Sequence, residues 1–324
     1  MSKYVSCATD LFERFETYQR ASGKWNVTVY ELNLKLFDKY CHKNYPYATA
    51  LTQTMIDGWC AKRATEGSNS NRCRIQVIAT CIKYLRARGL CNLTEPAMPQ
   101  KKASTYIPHA FTDEELKSFF DACDSITVPV SNKVSRLKKI EVPAFFRLLY
   151  SSGIRTTEAK LLRVEDVNLE DGILDIRESK GHHQHYVVLH DTMSDLMRRY
   201  DAAIRKIIPN RVYFFPSHIG GPHSRTWVSD NFKLLWDKGS YGRAIPYELR
   251  HHYATCNLNS WVGCGLEFNT RFLYLSKSMG HCILECTRYY YTLVPCLADI
   301  MLNFTNDSFN EIIPEVDYEY EQAE

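Results

Sequence analysis

The 324-residue chain has no long apolar run. Its most hydrophobic stretches, such as Glu141 to Tyr150, are broken by charge within ten residues, far short of the roughly 20 that a membrane-spanning helix needs. Met1 to Asp10 lack the apolar core of a secretory signal, so the expected compartment is the cytoplasm. There are twelve cysteines but no CxxC pair, and the chain is too long for a disulfide-stapled miniprotein. Reduced, mostly buried thiols are expected. Neither GxxxxGK[ST] nor a strand-linked GxGxxG occurs, so no nucleotide-cradling loop is read. Internal repeats and long low-complexity tracts are also missing.

With 45% hydrophobic and 24% charged residues, the chain can bury sizeable cores, and its length suggests two domains. A net charge of +3 names no partner until the chain is divided. Residues 1–108 hold 16 Lys and Arg against 8 Asp and Glu; residues 109–304 hold 24 against 22; residues 305–324 hold none against 7. A basic front and an acidic end fit a nucleic-acid footprint and a protein-contacting or solvating segment, with ordinary surface charge as the alternative.

Residues 8–90 read as four short amphipathic helices. Leu11, Phe12, Phe15 and Tyr18 recur at helical spacing, as do Val29, Leu32, Leu36 and Tyr40, then Leu51, Met55 and Trp59, then Ile75, Ile78, Ile82 and Leu85. The last helix carries Arg72, Arg74, Lys83, Arg86 and Arg88, a face suited either to tracking phosphates or to solvation. Residues 92–108 contain three prolines and no periodicity, as a linker would, and include Lys101 and Lys102. Thr112 with Glu115 makes a capping box that opens the next helix. A buried helix follows over 142–150, ending at Ser152-Gly153, and another begins near Thr157. Over 172–190 the period becomes two, which predicts a hairpin, and helical patterns return at 191–208, 226–237 and 248–262. The expected fold is mainly α with a small β-sheet. The expected divisions are 1–91, the linker 92–108, 109–304 and an acidic tail, 305–324.

Four stretches stand in a telling order: Ser152-Gly-Ile-Arg155-Thr-Thr-Glu158; Glu178-Ser-Lys180-Gly181 at the hairpin tip; Pro246-Tyr247-Glu-Leu249-Arg250-His251-His-Tyr-Ala254-Thr255; and Met279-Gly280-His281 followed by Thr287-Arg-Tyr-Tyr290. In these stretches the chain resembles the tyrosine recombinases of the phage integrase family, over about residues 110–300. The helical front fits that family's core-binding domain more loosely. The resemblance implies a catalytic set of Arg155, Lys180, Tyr247, Arg250, His281 and Tyr290, supported by Glu158 and His251. It also implies a clamp of two domains on duplex DNA.

The chemistry agrees with those residue types. A tyrosine hydroxyl can attack phosphorus and conserve the phosphodiester energy in a covalent bond. Two planar guanidinium forks match the charge spread over the non-bridging oxygens. Lys180 suits protonation of the departing 5′ oxygen, and His281 suits a hydrogen bond to the phosphate or the nucleophile. Glu158 and His251 would orient the arginines. No cofactor is called for, neither ATP nor a metal.

Tyr247 departs from the family pattern, which has histidine there; a hydroxyl still donates, but it is a poor base at neutral pH. The stretch from Asn259 to Asn269 looks longer than the family's spacing. Nine residues from His281 and three from Thr287 both lead to Tyr290, with Tyr289 and Tyr291 as alternative registers. His182, His183 and His185 read as phosphate or DNA contacts rather than half of a zinc site, and Cys282 and Cys286 as an apolar helix face. Trp227, Trp236 and Trp261 read as core. Residues 305–318 interleave Phe309, Ile312, Ile313 and Val316 with carboxylates, and the resemblance implies docking on a neighbouring protomer.

The reading is therefore a site-specific DNA recombinase of a mobile element, an integrase or transposase, working through a 3′-phosphotyrosyl intermediate. Its expected partners are double-stranded DNA, three further copies in a dimer of dimers, and accessory recombination proteins, with no membrane and a nucleoid-associated location. The alternatives are a DNA-binding protein of the same fold that no longer cleaves, and a type IB topoisomerase-like relaxing enzyme.

Overall fold

A computed structural model describes residues 3–101, 106–127, 132–177, 184–239, 241–261, 267–281, 283 and 285–290. Lys102, Lys180, Tyr291 and the acidic tail lie outside them. The chain divides into two compact units, residues 1–106 and 107–324. It is mainly helical with one three-stranded sheet, as the patterning predicts. Among the described residues no helix is long and apolar enough to cross a membrane.

The first unit contains α1 (Thr9–Ala21), α2 (Leu32–Asn44), α3 (Gln53–Cys60) and α4 (Ser68–Ala87). Its core gathers Phe12 and Phe15 from α1, Phe37 from α2, Met55 and Trp59 from α3, and Ile78, Ile82 and Leu85 from α4. α2 differs from the expected face: Leu32 and Leu36 are 53% and 43% exposed, whereas Leu34, Phe37 and Cys41 are buried. The cause is a turn of wider, π-type winding at Val27–Glu31, which breaks the 3.6-residue phase just before α2 begins. The same face buries Asp38, whose carboxylate accepts the backbone N–H groups of Val5 (2.8 Å) and Ser6 (2.9 Å).

Arg74 also differs from its expected place on a phosphate-tracking face. It is 4% exposed and spent internally. Its guanidinium donates to the Glu66 carboxylate (2.6 and 2.9 Å), to Asn71 Oδ1 (3.0 Å) and to the carbonyls of Ala61 (3.1 Å) and Trp59, fastening the end of α3 to the start of α4. A position facing the α3 terminus cannot also face DNA.

The second unit begins with α5 (Asp113–Asp124), where Thr112 and Glu115 form the expected capping box: Thr112 Oγ1 accepts from Glu115 N and the Glu115 carboxylate accepts from Thr112 N. α6 (Lys133–Ser152) packs against α5, α8 and α10 and forms the spine of the unit. It is twice the expected length, because Asn132 caps it at Val134 N (2.9 Å) and Pro143 is accommodated inside it. α7 (Thr156–Leu161) follows, then β1 (Val167–Asn168), β2 (Ile173–Ile176) and β3 (His185–Val188), antiparallel in the order β1-β2-β3. The register sets Leu174 opposite Val187 and Ile176 opposite His185. These four side chains form the buried face, while Tyr186 and Val188 point outward. α8 (Asp191–Arg205), α9 (Trp227–Trp236), α10 (Glu248–Ser260), α11 (Glu267–Ser278) and the short α12 (Glu285–Arg288) complete the unit. Trp236 is core, with Trp227 and Trp261 packed partly buried against apolar clusters.

Candidate active site

The site is assembled around the ends of two helices. α6 ends at Gly153, in the left-handed region at φ 63°, and α11 ends at Gly280, at φ 62°. Glycine is needed at both on a second count as well. An added Cβ at Gly153 would lie 2.2 Å from the Tyr253 ring, and one at Gly280 would lie 2.6 Å from the His185 ring. The last carbonyls of a helix have no partner within it and sit at the negative end of its dipole, so such ends attract cations.

Arg250, in the first turn of α10, lies between these ends and is 2% exposed. One guanidinium nitrogen donates to the Gly153 carbonyl (2.6 Å). The other donates to the Met279 carbonyl (2.7 Å) and to His281 Nε2 (2.9 Å). No carboxylate forms an ion pair with Arg250 among the described residues, and its Nε–H is buried without a partner. α10 is itself anchored through Glu248, whose carboxylate accepts from Ile245 N (2.7 Å) and His109 N (3.0 Å).

Arg155 precedes α7. The Glu158 carboxylate accepts its backbone N–H (2.7 Å) and its Nη1 (2.5 Å), and its Nη2 donates to the Gly280 carbonyl (3.1 Å). Glu158 is buried, while the Arg155 side chain keeps 18% exposure. Arg155 is thus tied back by one carboxylate yet reaches the surface.

His281 follows the α11 end, its N–H returning to the Ser276 carbonyl (3.0 Å). Burial, reinforced by Arg250 and Arg155, pushes its imidazole down to about 4, so the ring is neutral at physiological pH. Tyr290 is 3% exposed and packs with Ala254, Leu258, Phe272, Leu275 and Met279. Its ring lies parallel to His281, centroids 6.3 Å apart, and burial pushes its hydroxyl up to about 12 while neighbouring Arg250 pulls it down. The hydroxyl therefore keeps its proton at neutral pH.

The other expected residues are placed as follows. The His251 ring packs against Tyr247 (5.1 Å), Tyr290 (5.5 Å) and Tyr289 (6.0 Å), and burial lowers its basicity. Tyr247 is 40% exposed at the entry to α10 and Tyr289 is 43% exposed. Arg155, Glu158, Arg250, His251, His281, Tyr247 and Tyr290 thus occupy one region, while Lys180 lies outside the described residues. In the first unit Arg72, Lys83 and Arg86 share the outer stripe of α4, with Arg72 donating to the Pro99 carbonyl and Arg86 3.7 Å from Glu95. Arg88 lies over the stacked rings of Tyr18 and Tyr84 (5.1 and 4.8 Å), and Lys101 is exposed.

Sequence reasoning overlooks the carbonyls of Gly153, Met279 and Gly280 and the anchor Glu248. It treats Thr287 only as a marker for counting. The two glycines at helix ends are the signal that carries the carbonyls.

The sequence model of the phage integrase family matches residues 109–294, more than half the chain. The chain belongs to this family and is a tyrosine recombinase. It is 23% identical over 287 residues to the tyrosine recombinase XerA of Pyrococcus horikoshii, covering 87% of this chain and 88% of that one. Among solved structures, it shares its fold with the XerH site-specific recombinase bound to palindromic difH substrate in a post-cleavage complex (TM-score 0.60, 16% identity, 93% of this chain and 85% of that one). The same holds for a lambda integrase tetramer bound to a Holliday junction (TM-score 0.56, 16% identity, 85% and 77%).

Proposed function

We propose that this recombinase, from a mobile element, cuts and rejoins double-stranded DNA at specific sites through a 3′-phosphotyrosyl bond to Tyr290. The observation that carries the reading is the convergence of Arg155, Arg250 and His281 beside Tyr290, with Arg250 held by helix ends and not by a carboxylate. A phosphate arriving there meets the charge of Arg250, which forms no ion pair with a carboxylate among the described residues. Lys180 is the proposed general acid for the 5′ oxygen. Tyr247, half-exposed at the same entrance, replaces histidine as a hydroxyl donor to phosphate.

In this reading residues 109–304 form the catalytic domain. Residues 1–91 and the linker 92–108 supply non-specific phosphate contacts through Arg72, Lys83, Arg86, Arg88, Lys101 and Lys102. Four copies assemble as a dimer of dimers, with residues 305–318 docking between protomers; the tetrameric assembly of lambda integrase supports this part.

A nicked suicide substrate tests the chemistry. Wild type is expected to form a covalent protein–DNA adduct, and Tyr290→Phe to form none while still binding DNA. An adduct that persists in Tyr290→Phe moves the nucleophile to Tyr289 or Tyr291. Binding without any wild-type adduct favours a protein of this fold that no longer cleaves.

A further inference from the structure

Thr287 is fully buried and stands three residues before Tyr290, with its Oγ1 2.7 Å from His281 Nδ1. On the other side of the same ring, Arg250 lies 2.9 Å from Nε2. A guanidinium has no lone pair to offer, so this second bond has one direction: Arg250 donates and Nε2 accepts. A neutral imidazole with an acceptor at Nε2 carries its proton at Nδ1, and the atom placed to receive that proton is Thr287 Oγ1. The tautomer follows from these two contacts together. The hydroxyl is selective where an apolar side chain of the same shape is not, because a buried Nδ1–H without an acceptor is costly.

We infer that Thr287 is a positioning residue of the recombination site: it accepts the Nδ1 proton of His281 and so keeps Nε2 as a proton acceptor facing Arg250 and the nucleophile. The role deepens the proposed function and rests on His281 belonging to that site. It also gives α12 a purpose. This single turn carries the residue that sets the histidine and leads directly into the tyrosine, so the two are placed by one short element. Arg155 and Glu158, at the start of α7, and His185, on β3, are the other charged and titratable groups that act on the same imidazole.

The test compares Thr287→Val, which keeps the shape and removes the hydroxyl, with Thr287→Ser, which keeps the hydroxyl. Selective ¹⁵N-histidine labelling of the full-length protein reads the ring of His281, assigned by its loss in His281→Asn. Wild type and Thr287→Ser are expected to show protonated Nδ1 and unprotonated Nε2 as a single species. Thr287→Val is expected to lose that single species. On the nicked substrate, adduct formation by Thr287→Val is expected to fall about 10-fold with DNA affinity unchanged, and Thr287→Ser to restore most of the rate. If Thr287→Val does not fold, Thr287→Ala takes its place. A wild-type ring protonated at Nε2 overturns the inference, as does a Thr287→Val protein with the wild-type spectrum and rate. Because the spectrum is read without DNA, it answers even if wild type forms no adduct, an outcome that removes the proposed function alone.

Discussion

Among the described residues the arginines Arg74, Arg211 and Arg250 are buried, and Arg74 in the first unit and Arg250 in the second are treated in opposite ways. Arg74 is 4% exposed and Arg250 is 2% exposed. Arg74 meets a carboxylate, Glu66, with two hydrogen bonds, so its charge is cancelled where it lies. Arg250 meets two carbonyls and a neutral imidazole, so its hydrogen-bonding capacity is largely used while its charge remains. Burying a charge without a counter-ion is costly. For Arg250 that cost is borne where α6 and α11 both end and their dipoles offset part of it. Two arginines of similar burial are thus distinguished by what they are paired with, Arg74 by a carboxylate and Arg250 by carbonyls and a neutral ring.

Substitutions that keep the charge, or keep the shape, separate the two. Arg250→Lys retains a cation but loses the planar fork that spans Gly153 and Met279. Adduct formation on the nicked substrate is expected to fall by about 100-fold or more, the scale of removing one preorganised donor from a transition state. A rate near wild type would place the needed charge elsewhere. Arg74→Met is expected to leave the adduct rate per folded molecule unchanged and to destabilise the first unit by about 3–5 kcal/mol, because Glu66 loses its partner in a largely enclosed setting. Urea unfolding followed by tryptophan fluorescence reads this through Trp59, whose carbonyl Arg74 holds. A neutral result would mean that Glu66 finds water at no cost, and the contrast between the arginines would shrink.

The same comparison shows which parts of the molecule can be read from sequence. Arg155 and His281 sit in short motifs whose local geometry is built in, a left-handed glycine at the end of a helix followed within two positions by the residue itself, while Arg250 lies in the first turn of α10 and Tyr290 just past α12. Such motifs carry their own structure, so their convergence is legible. Arg74 has no such context. On a helix with Arg72 and Arg86 it differs only by lying toward α3, and that depends on tertiary packing. Leu32 and Leu36 mislead for a related reason, since the π-type turn before α2 shifts the phase without leaving a mark in composition. The first half of α6 is obscured by Lys133, Arg136, Lys138 and Lys139 and by Pro143, which looks like a break but lies inside the helix. Thr287 is legible as a spacing and not as a hydrogen bond, because the bond needs α11 and α12 brought together.

The smallest expected effect concerns pH. In an unfolded chain His281 would titrate near its ordinary value of about 6.5. In the fold, burial first and then Arg250 and Arg155 push it down to about 4. Between these values the unfolded state binds a proton that the folded state does not, so acidification favours unfolding and stability rises with pH across the window. Above about pH 6.5 this group contributes no slope. His281→Asn keeps a side chain able to accept from Arg250 and removes the titration. Its stability is expected to vary less than that of wild type between about pH 4 and 6.5, with the two curves running parallel above that range. Thermal unfolding at closely spaced pH values makes the comparison. Curves that stay parallel through the acid range would mean that His281 titrates in the fold near its unfolded value and takes up a proton beside Arg250 at about pH 6.5, not near 4.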